Sequence, residues 1–232
     1  MEWHDAVDAI RPHVMKIETP DGFGTGFLIS LTADRSLCGI ATAAHVVSHA
    51  NQWEEPIRIK HHESGQTIVI RNPDRLIMID AAKDTAAILC ARGDMPLSMA
   101  ALHLIPEGHS LRVGNDVGWV GFPAISPESL CFFSGQTSCL VDAGHAYLVD
   151  GVAINGVSGG PAFHIRGDHV RIIGVVSAYI ANRATGEALP GLCVVRDVSQ
   201  FQTVVGAFKS LDEAKSKRTS SATPGKGEPG AK

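Results

Sequence analysis

Asn155-Gly156-Val157-Ser158-Gly159-Gly160-Pro161 is the stretch on which the reading of this chain turns. Three glycines crowd around one serine, just before the strand-like PAFHI. Glycine tolerates backbone conformations closed to other residues, so such a turn can aim N–H groups on either side of the hydroxyl at one point. An oxyanion needs that arrangement when a carbonyl is attacked, and Gly156 and Ser158 are the expected donors. A serine hydroxyl is a poor nucleophile until a base takes its proton, and the base needs a carboxylate to fix its tautomer. Two upstream residues fit. His45 closes the apolar run GIATAAHVV, which predicts a strand end facing a cleft. Asp84 opens DTAAILC, a strand entry where a carboxylate needs a hydrogen-bonded partner. Asp80, four residues earlier, competes with Asp84 for that role.

Outward from the turn, the pattern is one of short strands. With 24 glycines and 12 prolines among 232 residues, tight turns are favoured over a helical bundle. After the strand-like HVMKIET (13–19), GFLIS (26–30), LCGIATAAH (37–45), PIRIK (56–60), TIVIR (67–71), RLIMID (75–80) and TAAILCA (85–91) form a first group of about six. DVGWVGF (116–122), LCFFSGQTSCLV (130–141), HAYLV (145–149), GPAFHI (160–165), VRIIGVVSAY (170–179) and LCVVRD (192–197) form a second. The expected fold is all-β, two packed six-stranded antiparallel barrels with a short N-terminal helix and a C-terminal helix. The expected boundaries are a helical segment 1–13, a first barrel 14–105 with His45 and Asp84, a second barrel 106–210 with Ser158 and the closing helix, and a disordered tail 211–232. In that helix Val198, Phe201, Val205 and Phe208 are spaced to line one face. The tail lacks large apolar residues and is rich in Lys, Ser, Gly and Pro.

Composition removes several classes. The formal charge of −4 offers no broad basic face for a nucleic-acid backbone. The remaining histidines lack the spacing of zinc ligands, so no metal site and no cofactor is expected. No stretch approaches the roughly 18 apolar residues of a membrane span. The beginning, MEWHDAVDAIRPH, has acidic residues and a proline where an export segment would be apolar. The five cysteines, without a CxxC pair, read as reduced core residues, so a cytoplasmic location is expected.

GTGFLIS (24–30), TAAHVV (42–47), DTAAIL (84–89), GVSGGPAF (156–163) and GVVSA (174–178) together resemble the marker segments of trypsin-like serine peptidases, closest to the protease domain of the bacterial HtrA/Deg branch. The resemblance spans about residues 14–197. It implies a serine endopeptidase working through an acyl-enzyme, with His45 as base and later acid, Asp84 orienting it, Ser158 attacking, and Ser177 helping to hold Asp84. Members of that branch usually carry an export signal and PDZ domains, which are not legible here, so the resemblance extends to the protease unit alone. In this fold Val152, Ala153, Ser177, Ala178 and Tyr179 would line the first substrate pocket. None is acidic, which predicts cleavage of a protein or peptide after small or medium apolar residues. A second reading stays open: a protease-fold interaction module, latent or inactive until a regulatory protein partner assembles its site.

Overall fold

In the computed structural model, residues 1–98, 100–181 and 188–221 are described, the side chains of 178–181, 188–190 and 219–221 excepted. The chain opens with α1 (Trp3–Ile10), whose start is closed by the Glu2 N–H donating to the Asp5 carboxylate at 2.9 Å. Ala6 and Ile10, one turn apart, are both fully buried, and Val7 packs partly against the same core.

The first half comprises β1 (Val14–Thr19), β2 (Gly22–Leu31), β3 (Leu37–Ala43), α2 (Ala44–Gln52), β4 (Ile57–His61), β5 (Thr67–Ile70), β6 (Arg75–Asp80) and β7 (Thr85–Ala91). Its strands form one antiparallel sheet in the order β5-β4-β1-β2-β3-β7-β6. The expected closed six-stranded barrel is therefore a seven-stranded, open sheet in this half. Its edges, β5 and β6, are consecutive in sequence but separated by a 3-10 turn (Asn72–Asp74) containing Pro73, which has no N–H to give to a ladder. Arg75 joins the edges instead. Its guanidinium donates to the carbonyls of Ile70, Ala50 and Glu55 at 2.9, 3.0 and 2.7 Å.

The second half comprises β8 (Asp116–Gly121), β9 (Cys131–Val141), β10 (Ala146–Asp150), β11 (Pro161–Arg166), β12 (His169–Ala181) and β13 (Ala188–Asp197). These six close into a barrel in the order β10-β13-β12-β11-β8-β9, as expected. Trp119, Tyr147, Val149 and Ile173 fill it. A third apolar cluster, with Phe27, Ile29, Phe163 and Phe201, lies between the halves.

The chain closes with α3 (Ser199–Ser221), longer than the sequence implied. Val198, Phe201, Val204 and Phe208 are buried, so Val204 takes the place expected of Val205, which is only partly covered. The helix continues past Ser210 through residues expected to be disordered, where Asp212 accepts from the Ala33 N–H and Lys215 pairs with Asp34, both at 2.9 Å. Residues 222–232 of the expected tail lie outside the described residues. Among the described residues no helix is long and apolar enough to cross a membrane.

Candidate active site

The segment around Ser158 is two consecutive turns. The Val157 N–H donates to Ile154 O at 3.0 Å and the Gly160 N–H to Val157 O at 2.9 Å. Each has a left-handed glycine at its third position, Gly156 at φ +90° and Gly159 at φ +84°, the backbone a type II turn requires. Both sites also exclude a side chain by space. A Cβ on Gly159 would lie 2.1 Å from Thr25 O and 2.2 Å from Thr42 Oγ1.

Those contacts show where the halves meet. The Thr25 N–H donates to Ser158 O at 2.8 Å, and its hydroxyl donates to Gly156 O at 2.8 Å while accepting from the Phe122 N–H at 3.1 Å. Thr42 in turn donates its hydroxyl to Thr25 O at 2.7 Å. Both threonines are fully buried, so β2 and β3 of the first half grip the turn of the second. The sequence alone gives neither threonine this role; Thr25 stands beside glycines in GTGF and Thr42 opens TAAHVV, but the turn they grip lies in the other half of the chain.

Within 156–160 the N–H groups of Val157, Gly159 and Gly160 are used, the second by Val176 O at 2.7 Å. Among the described residues the N–H groups of Gly156 and Ser158 have no protein acceptor. They are the pair expected as oxyanion donors.

His45 is the second residue of α2, not a strand end: β3 stops at Ala43 and the helix begins at once. Asp84 lies in the turn before β7 with φ +50°, a left-handed conformation that aspartate tolerates better than most residues. Its carboxylate accepts from the His45 backbone N–H at 3.0 Å and meets His45 Nδ1 at 2.9 Å. Its own carbonyl accepts from the Ala44 N–H at 3.2 Å. Asp80 is turned elsewhere and accepts from the Lys83 N–H. Burial pushes the Asp84 carboxyl upward, but hydrogen bonds from His45 and Ser177 outweigh it and hold the group below the ordinary carboxylate value.

Ser177 links the two sides. Its hydroxyl donates to Asp84, and its carbonyl accepts from the Ser158 hydroxyl at 3.3 Å. No hydrogen bond joins Ser158 to His45 among the described residues. Of the expected substrate-pocket residues, Val152 is half exposed and Ala153 packs against the second barrel's core. Ala178 and Tyr179 pair through their backbones with Val194 and Cys193, and their side chains lie outside the described residues.

No group of three or more potential metal ligands stands together among the described residues. The arrangement can supply a base oriented through Nδ1, a hydroxyl linked to the same carboxylate through Ser177, and two N–H donors without an acceptor among the described residues, the parts of an acyl-transfer site.

Residues 24–175 match the family model described as a trypsin-like peptidase domain. No curated protein matches the chain by sequence. Among solved structures, two inactive forms of Rv3671c resemble it. One, a serine-to-alanine mutant from M. tuberculosis, has a TM-score of 0.59 and 20% identity over 87% of this chain and 90% of that one. The other has a TM-score of 0.60 and 19% identity over 87% and 91%. The serine endoprotease from Yersinia pestis has a TM-score of 0.64 and 17% identity over 90% of this chain and 66% of that one. At these identities the likeness is one of fold.

Proposed function

Given that the chain belongs to the trypsin-like peptidase family, we propose that it is a serine endopeptidase with His45, Asp84 and Ser158 as its triad. The observation that carries this reading is the Asp84 carboxylate held against His45 Nδ1 at 2.9 Å. An ionised Asp84 requires the proton on Nδ1 and so leaves Nε2 as the base.

The reaction runs by acyl transfer. The Ser158 hydroxyl swings from Ser177 O towards His45 Nε2, gives up its proton there and attacks the scissile carbonyl. The tetrahedral oxyanion is held by the N–H groups of Gly156 and Ser158. His45 then protonates the leaving amine, which breaks the peptide bond and leaves the acyl group on Ser158. Water, deprotonated by His45, attacks the ester and releases the carboxylic acid, and the proton returns to Ser158. The scheme uses no metal or organic cofactor.

The pocket residues Val152, Ala153, Ser177, Ala178 and Tyr179 include no carboxylate, so the proposed preference is for small or medium apolar residues before the cleaved bond. Cys38 and Cys90, register partners in β3 and β7 with sulfurs 3.7 Å apart, are free thiols, which fits a reducing, cytoplasm-like compartment.

The Ser158 hydroxyl resting on Ser177 O favours a second reading, a latent site that a partner assembles. Fluorophosphonate labelling of the wild type and of Ser158→Ala at pH 6 and pH 8 separates the two. Labelling that requires Ser158 and rises with pH supports the peptidase. Labelling only after a partner is added supports the latent form, and none under any condition removes the enzyme reading.

A further inference from the structure

The β11–β12 hairpin carries four basic side chains on one face, at the opposite end of β11 from the nucleophile turn. His164 is the register partner of Arg171, and Arg166 of His169. Residues two apart on a strand point the same way about 6.6 Å apart, and register partners lie about 5 Å apart, so the four crowd into one small rectangle. The segment before β8 faces them and adds His109 and Arg112, closing a groove of about 700 Å³. Its remaining lining residues are uncharged.

Arg166 and Arg171 lie diagonally across the hairpin on the same face, where two guanidinium charges repel, and this chain has carboxylates to spare. Yet among the described residues Arg112, Arg166 and Arg171 have no ion pair and no side-chain hydrogen bond. Two carboxylates that flank the hairpin are engaged elsewhere. Asp116 accepts from Gln136, and Asp168, in the hairpin turn, lies 3.5 Å from the Met1 amino group. Asp116 contributes its backbone carbonyl, which accepts from His164 Nδ1 at 2.8 Å and fixes that ring.

The geometry points to an anion-binding site in this groove, built for the closely spaced charges of an oligophosphate. Guanidinium forks match phosphate oxygens two at a time, and the groove has the size of a small-molecule site. An extended acidic peptide presents a single row of same-side carboxylates, which answers the basic residues of one strand and leaves those of the facing strand unanswered. The phosphate chain could be inorganic or belong to a nucleotide; the chemistry recognised is the same.

Calorimetric titration of the full chain at physiological salt with inorganic tripolyphosphate, and separately with adenosine triphosphate, tests the site. Saturable one-to-one binding is expected for tripolyphosphate. Arg166→Ala and Arg171→Ala should each weaken it by about 10-fold or more, the loss of one charge-assisted contact. Equal affinity for both ligands would identify the phosphate chain as the whole determinant, and tighter binding of the nucleotide would assign the source. Without ligand, neither variant should melt below the wild type, since each removes one of two neighbouring guanidinium charges that have no ion pair among the described residues. Absence of saturable tripolyphosphate binding, binding that survives both substitutions, or tighter binding of a glutamate-rich peptide would each overturn the inference.

Discussion

The carboxylate of Asp84 takes both the backbone N–H and the ring Nδ1 of His45, at 3.0 and 2.9 Å, so one side chain fixes both where α2 begins and which way its imidazole faces. Asp84→Asn separates these tasks. Asparagine accepts the left-handed backbone at this turn, so the fold is expected to persist. Its amide cannot demand the same tautomer, and the rate of fluorophosphonate labelling should fall by roughly 10³- to 10⁴-fold. A labelling rate within about tenfold of wild type, with unchanged circular dichroism, would remove Asp84 from the proposed triad.

The same contacts make Asp84 a contributor to pH-dependent stability. Its folded-state pKa is depressed, so the stabilisation is present above the unfolded carboxyl value, about 3.9, and is lost as pH falls through the folded value. Ser177→Ala removes one of the bonds that hold it down. Acid unfolding, followed by circular dichroism from pH 5 to pH 2, should therefore begin at higher pH in that variant.

Thr25 offers a test of the turn's support. Replacing it with valine keeps the shape but leaves Gly156 O and the Phe122 N–H without the hydroxyl. Each buried orphan costs about 1–3 kcal/mol, which should appear as a lower denaturant midpoint. Because Gly156 O belongs to the proposed oxyanion turn, the variant should also lose kcat on a peptide substrate more than it gains in KM. An unchanged kcat would mean that the turn holds its shape without Thr25.

How much of this was legible beforehand depended on how local each feature is. The turn around Ser158 could be read because glycine spacing and backbone bending are the same fact. His45 was misplaced by one element, since GIATAAHVV is apolar throughout and continuous apolar runs do not distinguish a buried strand from a strand running into a helix. The open seven-stranded sheet was hidden because pairing of β5 and β6 depends on chain path, not on pattern. The length of α3 is not legible because its last turns are polar, with Asp212 and Lys215 reaching the β2–β3 connection from far along the chain. Thr25 and Thr42 were in view but silent, as their partners lie in the other half of the chain.

The Arg75 side chain provides a measure of how the open sheet is held. Its guanidinium satisfies three carbonyls from the β5 end, the end of α2 and the loop before β4. Arg75→Ala should cost about 2–4 kcal/mol in chemical denaturation, and Arg75→Lys should recover little of it, because an ammonium cannot span three acceptors with a planar fork. Full rescue by lysine would show that charge rather than geometry closes this edge.

His13 gives the last expectation, in the 3-10 turn just before β1. It is buried, its Nδ1 has no partner, and burial followed by the nearby His61 lowers its pKa to about 4. The folded state thus keeps this ring neutral while the unfolded chain takes up a proton below about pH 6.5. Stability should decline as pH falls from about 6.5 towards 4, a window above that of Asp84. His13→Gln, which cannot charge, should flatten the decline in that window and leave the steeper loss below it. A wild-type unfolding midpoint constant from pH 7 to pH 4.5 would show that His13 accepts a proton without opening the fold.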